Sequence, residues 1–257
     1  MTDRSWAVVD YRARFDECGP DATLRASALL RWAQDVAWIH SERVGFGREW
    51  YADRNLAWVV RALQLVVLAP IRMGTSAEVT TRVAGFRKVM ARRRTDVRLP
   101  DGSLAAWAFT DWVMTDTVRG VPTRVPPDFP GYFDAPPVGF DPIRVDPPKP
   151  APGATTCHLV VRPQELDPMA HANNAVYVDW LEEAVRDGGG DAVVTGFPRT
   201  YRLEYLASAA PDQELVALAW IDEPGLDPWH HVLRAATGSV LLRGSVAATG
   251  GDPDADA

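Results

Sequence analysis

Residues 121–153 carry eleven of the chain's 21 prolines: Pro122, Pro126, Pro127, Pro130, Pro136, Pro137, Pro142, Pro147, Pro148, Pro150 and Pro152. Proline lacks the amide donor that a sheet ladder needs, so this stretch reads as a linker. The fold must then be built from the pieces on either side, and both pieces show the same order of elements. In the first, residues 6–15 alternate as a strand and 16–21 form a turn-rich loop. A helix is expected over 27–44, with Ser27 as cap and Leu29, Leu30, Ala33, Val36, Ala37 and His40 at helical spacing. Trp32, Trp38 and Ile39 widen its apolar face, which predicts burial on most sides; Gly45 and Gly47 end it. Strands follow over 56–68, 76–83, 86–99 and 103–115, the last two joined by the hairpin signal Pro100-Asp101-Gly102. After the linker come a strand over 156–161, a polar loop, a helix over 174–186 stopped by Gly188, Gly189 and Gly190, and strands over 200–206, 214–221, 229–236 and 239–248.

Strand, helix and a run of strands, twice over, is an internal repeat of α+β class with antiparallel sheet. The expected units are 1–120 and 156–249, with a linker over 121–155 and a disordered acidic tail over 250–257. Phe129, Tyr132, Phe133 and Phe140 in the linker predict that it packs along the body.

A chain of 257 residues, 47% hydrophobic, suits one or two domains. It has no apolar run near the roughly 20 residues of a membrane span, and no signal-peptide core follows Met1. Two cysteines, Cys18 and Cys157, are too few for a disulfide framework. A cytoplasmic protein without membrane attachment is the expectation. The formal charge of −7 argues against general nucleic-acid binding.

Chemistry concentrates in residues 165–184. A polar, turn-rich segment leads into an amphipathic helix on which Tyr177, Trp180, Leu181, Ala184 and Val185 form one face, with Asn174 as the expected N-cap. Asp167 and His171 fall in the loop before the helix N-terminus, where free amides and the positive dipole end gather. A carboxylate, an imidazole and amide donors are parts of acyl-transfer chemistry. Sliding the first half onto the second so that Ala37 falls on Ala184 puts Ser27 on Asn174, Leu24 on His171 and Ala26 on Asn173. The first copy keeps the helix and lacks the polar constellation.

The run Asp167-Pro168-Met169-Ala170-His171-Ala172-Asn173-Asn174-Ala175-Val176-Tyr177 resembles the Asp-x-x-x-His-x-Asn-Asn-x-x-Tyr pattern of hotdog-fold thioesterases. Residues 55–65, with Leu56, Trp58, Val59 and Arg61, resemble the Leu-x-Trp-Val-x-x-Arg stretch of acyl-acyl-carrier-protein thioesterases; residues 29–35 and 112–114 fit the same family. The resemblance runs over most of residues 8–248. It implies a tandem double hotdog, two long central helices wrapped by a continuous antiparallel sheet, with one active site in the second unit completed by the first. The first unit would serve as acyl pocket. The implied catalytic residues are Asp167 as base or nucleophile, His171 toward the thioester carbonyl, and Asn173. Asn174, Ala175, Tyr177, Glu204 and Trp58 are the candidate substrate-binding residues. No cofactor or metal is expected; the partners are an acyl carrier protein or coenzyme A thioester, and a homodimer is a further option. Two departures stand out. Met169 replaces the Asn of the plastid Asp-x-Asn-x-His pattern, and Ser208 and Ala209 stand where those enzymes have an acid and a Cys. A hotdog hydratase or dehydratase and a catalytically silent acyl-binding protein are the alternatives.

Arg87, Lys88 and Arg92 to Arg94 form a basic cluster that either meets an acidic carrier or the phosphates of coenzyme A, or lies as a solvated sheet edge. Glu182 and Glu183 read as a solvated helix face, His40 and Cys18 as core, and His230-His231 lacks ligands at metal spacing.

Overall fold

A computed structural model describes residues 4–135, 139–223 and 228–251. In chain order the elements are β1 (Trp6–Arg12), α1 (Ala26–Arg43), α2 (Arg48–Ala52), β2 (Leu56–Val67), β3 (Ser76–Arg87), β4 (Met90–Arg98), β5 (Leu104–Asp116), β6 (Val121–Pro122) and α3 (Phe129–Tyr132). There follow β7 (Thr155–Val160), α4 (Val176–Asp187), α5 (Asp191–Thr195), β8 (Arg199–Tyr205), β9 (Glu214–Trp220), β10 (Trp229–Ala235) and β11 (Val240–Ala247). The expected tail lies outside the described residues from position 252 onward. The chain forms two compact units. Residues up to Leu63 and Ala69–Ile143 make the first; Gln64–Leu68 and Arg144–Gly251 make the second.

In the first unit, β1 pairs antiparallel with β3, β3 with β4, and β4 with β5. Helix α1 lies against β1 and β3, burying Leu29, Leu30, Trp32, Val36, Ala37 and His40. Trp38 is 40% exposed, so the buried face is narrower than the tryptophan content suggests. The helix starts at Ala26; Ser27 is buried within its first turn and does not cap it. Gly45, at φ +97, ends it as glycine can without a Cβ penalty. The turn between β3 and β4 falls at Lys88 (φ +54), not at Ala84-Gly85. Gly85 sits instead at a register shift inside the strand, a β-bulge. Glycine marks a turn or a bulge equally well, and only the pairing partner tells them apart.

In the second unit, β7 pairs with β9, β9 with β10, β10 with β11, and β11 with β8, all antiparallel. Helix α4 packs on β7, β9, β10 and β11 through Tyr177, Trp180, Leu181, Ala184 and Val185, the face that its spacing predicts. Each unit thus sets one long helix against an antiparallel sheet, the expected α+β hotdog arrangement.

The proline-rich segment is bound to the body. Phe129 and Phe133 are buried in an aromatic cluster with Phe46, Tyr51, Val83 and Met114; Phe46 stacks on Phe129 at 4.3 Å between centroids. Further on, Asp111 accepts the Ile143 amide at 2.8 Å and holds Arg92 at 2.7 and 3.0 Å. In the second unit Glu204 accepts from Arg144 at 2.9 Å and from the Val145 amide at 3.1 Å.

These contacts correct the reading of the basic cluster. Arg92, Arg93 and Arg94 are 5%, 8% and 6% exposed. Arg92 bonds Asp111 and lies over Phe140. Arg94 bonds Asp96 and lies over Trp107. Arg93, on the opposite face, donates to His40 Nδ1 and Ser41 Oγ. Burial pushes the Arg93 guanidinium down to about 10, against the field of Tyr51. Only Arg87 and Lys88 are exposed, and Arg87 bonds the Phe140 carbonyl and Asp141. The alternation of a strand turns neighbouring side chains to opposite faces, and here both faces are covered.

Candidate active site

The segment before α4 folds as a small closed hairpin. The Asp167 amide donates to the His171 carbonyl at 2.8 Å, and the Ala170 amide donates to the Asp167 carbonyl at 2.9 Å. The Met169 amide donates to the Asp167 carboxylate at 2.8 Å, an Asx turn that Asp favours. Ala170 takes the left-handed conformation at the tip (φ +59). Asp167 and His171 are therefore joined through their backbones at the hairpin's mouth. Asp167 is half-buried and His171 is exposed.

The same hairpin recurs before α1, and it corrects the repeat register by one residue. The Gly19 amide bonds the Thr23 carbonyl, the Ala22 amide bonds the Gly19 carbonyl, and Ala22 is left-handed. Gly19 occupies the place of Asp167 and Thr23 that of His171, whereas the sequence register puts Leu24 there. The first unit keeps the backbone and lacks the acid and the imidazole.

Helix entry also differs in detail from its expectation. Asn173 Oδ1, not Asn174, accepts the Ala175 amide at 2.9 Å, and the Asn173 carbonyl accepts the Val176 amide. Asn174 contributes its backbone carbonyl, which accepts the Tyr205 hydroxyl at 2.8 Å. Ala175 and Tyr177 are buried.

Two groups invisible to motif reading complete the surroundings. The Ala209 carbonyl accepts the Ala172 amide at 3.0 Å, and the Ala209 amide donates to the Tyr177 hydroxyl at 2.8 Å. The loop carrying Ser208 and Ala209 is thereby pinned to the hairpin. Backbone groups have no residue signature, so only the Tyr177 of the motif hints at them. Burial pushes the Tyr177 phenol up to about 12; the Ala209 bond opposes this and the Asp167 charge adds to it. Tyr205, edge-on to Tyr177 at 5.2 Å, is also raised by burial.

The other candidates have partners of their own. The Glu204 carboxylate is buried against Arg144 and Val145. Trp58 lies in the first unit, its Nε1–H donating to Tyr51 at 3.1 Å. Glu182 is not a solvated group: it accepts the Tyr201 hydroxyl at 2.6 Å and burial raises its carboxyl, while Glu183 is exposed as expected. Among the described residues, no three His, Cys, Asp or Glu gather as metal ligands, and no helix is long and apolar enough to cross a membrane.

In each unit an antiparallel sheet lies against one long helix, which is the hotdog arrangement, and in the second unit the Asp167–His171 hairpin stands at the helix entry. The family model of the acyl-ACP thioesterase N-terminal domain matches residues 7–132. The chain is 27% identical over 255 residues to the chloroplastic acyl-acyl-carrier-protein hydrolase FATB2 of Cuphea viscosissima, covering 91% of this chain and 60% of that protein; it thus spans less than two thirds of that relative. Among solved structures, a provisionally named oleoyl thioesterase from Lactobacillus plantarum superposes with a TM-score of 0.82 at 18% identity, covering 95% of this chain and 96% of the other. The 12:0-ACP thioesterase from Umbellularia californica gives 0.76 at 21% identity, covering 96% and 98%. These structures support the fold.

Proposed function

We propose that the protein hydrolyses acyl thioesters of acyl carrier protein or coenzyme A to a free acid and a thiol. The observation that carries the reading is the hairpin that pairs the backbones of Asp167, half-buried, and His171, exposed, at a helix entry. As a base, Asp167 takes a proton from water as the water oxygen bonds the thioester carbonyl carbon. The tetrahedral intermediate then expels the thiolate, which takes up a proton. As a nucleophile, Asp167 would form an acyl anhydride that water cleaves to the same products. His171, free of protein hydrogen-bond partners on its ring among the described residues, orients the thioester carbonyl. The positive end of α4 favours the oxyanion through its dipole, since Asn173 already occupies the Ala175 and Val176 amides.

The proposal includes a cytoplasmic setting, in keeping with two free cysteines, and leaves a homodimer as an option for the assembly. A thiol-release assay over octanoyl, dodecanoyl and hexadecanoyl thioesters of coenzyme A and of carrier protein tests it. Asp167→Asn should lower kcat by about 10²–10⁴ with little change in Tm, and His171→Ala should be milder. A folded Asp167→Asn protein with wild-type turnover would refute the assignment. Met169 and Ser208, at positions where the plastid pattern has polar or acidic groups, favour one second reading, a silent acyl-binding protein. It would bind these thioesters and release no thiol.

A further inference from the structure

Position 169 holds Met where the plastid pattern has Asn, and the hairpin shows what that position contributes. The Met169 side chain is 51% exposed at the tip, between Pro168 and Ala170, which are exposed as well. Its backbone amide donates to Oδ1 of the Asp167 carboxylate at 2.8 Å. The second carboxylate oxygen, Oδ2, has no protein hydrogen-bond partner among the described residues, and the acid is only half-buried. The first unit shows that the hairpin does not need the bond to Oδ1. Gly19 stands at the corresponding corner without a side chain, and the same two backbone bonds close the turn there, at 2.9 Å each. The tip residue of that copy, Asp21, uses its own carboxylate to accept the Thr23 amide at 3.0 Å. Closing the hairpin and bonding the Asp167 carboxylate are therefore separate events. What the Met169 amide fixes is the carboxylate. The last torsion of an aspartate is broad and two-fold, and a hydrogen bond to an ionised oxygen is roughly twice as strong as a neutral one, so this bond sets which oxygen is held and which is open.

We propose that position 169 serves the reaction through its backbone amide alone: the amide holds Oδ1 and leaves Oδ2 as the reacting oxygen of Asp167. On the base route Oδ2 takes one proton from water as the water oxygen bonds the thioester carbonyl carbon, and the departing thiolate takes up a proton. On the nucleophile route Oδ2 itself bonds that carbon and the thiolate leaves in the same way. Every residue except proline carries this donor, so the exchange of Asn for Met leaves the position's contribution in place. The inference rests on the assignment of Asp167 made above, and its first readout does not depend on turnover.

Hydrogen exchange of the hairpin amides is compared in wild type, Asp167→Ala and Asp167→Asn. Asp167→Ala should lower the protection of the Met169 amide by roughly tenfold, the worth of one bond to a charged acceptor. The amides of residues 167 and 170 should stay protected, as the Gly19 hairpin implies. Asp167→Asn, whose side-chain oxygen accepts the same bond, should keep the Met169 amide protected. Turnover is then measured with dodecanoyl-coenzyme A. Replacing residue 169 by the α-hydroxy analogue of methionine exchanges the amide N–H for an ester oxygen and keeps the side chain. It should lower kcat by about tenfold to a hundredfold with KM within about twofold, the mark of a misplaced reacting group. Met169→Asn, which restores the plastid residue, should raise kcat by less than about threefold. The proposal is overturned if the Met169 amide exchanges alike in wild type and Asp167→Ala, if the ester protein turns over at the wild-type rate, or if Met169→Asn raises kcat tenfold or more. The expected exchange pattern in a protein that releases no thiol would leave the held carboxylate standing and remove the hydrolytic reading. Turnover lost in Asp167→Asn but untouched in the ester protein would do the reverse.

Discussion

Asp167 and Gly19 sit at the same corner of the same hairpin, closed by the same pair of backbone bonds. One side chain separates a corner with chemistry from one without. The neighbouring asparagines divide their labour in a way that residue type does not reveal. Asn173 uses its side chain, accepting the Ala175 amide; Asn174 uses its backbone, accepting Tyr205. Asn173→Ala should therefore cost about 1 kcal/mol in urea unfolding, the usual net worth of one side-chain hydrogen bond, and Asn174→Ala only a few tenths. Equal losses for the two would show that the Asn173 bond is not the anchor of the helix entry. Asp167, His171 and Asn173 were legible because they lie within seven residues of one another, where turn and cap rules act. Ala209 was not, because what it contributes is an amide and a carbonyl brought from a distant strand end.

At the scale of elements, the proline-rich segment is held by carboxylates of the strands. Asp111 is fully buried, with Arg92 and the Ile143 amide as its partners. Asp111→Ala would leave the Arg92 charge buried and unpaired, a change that typically costs 3–5 kcal/mol. Denaturant unfolding should show a loss of about that size, and a loss under about 1 kcal/mol would mean that the strap is not held there. Glu204→Gln should cost less, because its Arg144 partner is 66% exposed and water screens the pair. That the segment packs was readable from its four aromatics; which carboxylates hold it was not. The run Arg92 to Arg94 misleads a sequence reader because charge normally means surface. Acids, neutral polar groups and aromatic faces overturn that rule here, and apart from Asp96 on the same strand they lie on other elements.

For the whole molecule, His231 links stability to pH. It lies fully buried on β10, and burial pushes it down to about 4, offset in part by the Leu218 backbone. An unfolded histidine titrates near 6.5, so between these values the unfolded chain binds the proton and the native one does not. Stability from this group is complete above about pH 6.5 and is lost as pH falls toward 4, by on the order of 3 kcal/mol. Glu182 works in the opposite sense, since burial raises its carboxyl, so a difference measurement isolates the histidine. The stability gap between wild type and His231→Leu should shift by roughly that amount in favour of the variant from pH 7 to pH 4. A gap independent of pH would show that the ring gains its proton without penalty.

The order of the long strands and helices, the antiparallel class, the repeat and the placing of Asp167 and His171 in a loop before a helix were all determined by the sequence alone. Each rests on local chemistry: alternation, helical spacing, proline's missing donor and short-range turns. Tertiary structure alone decided the register of the repeat, the role of Gly85 as a bulge, the burial of three consecutive arginines and the clasp between Tyr177 and Ala209. Those features depend on which distant backbone and side-chain groups meet across the sheet. A buried charge or amide takes its partner from wherever the fold brings one, and no spacing along the chain records that choice.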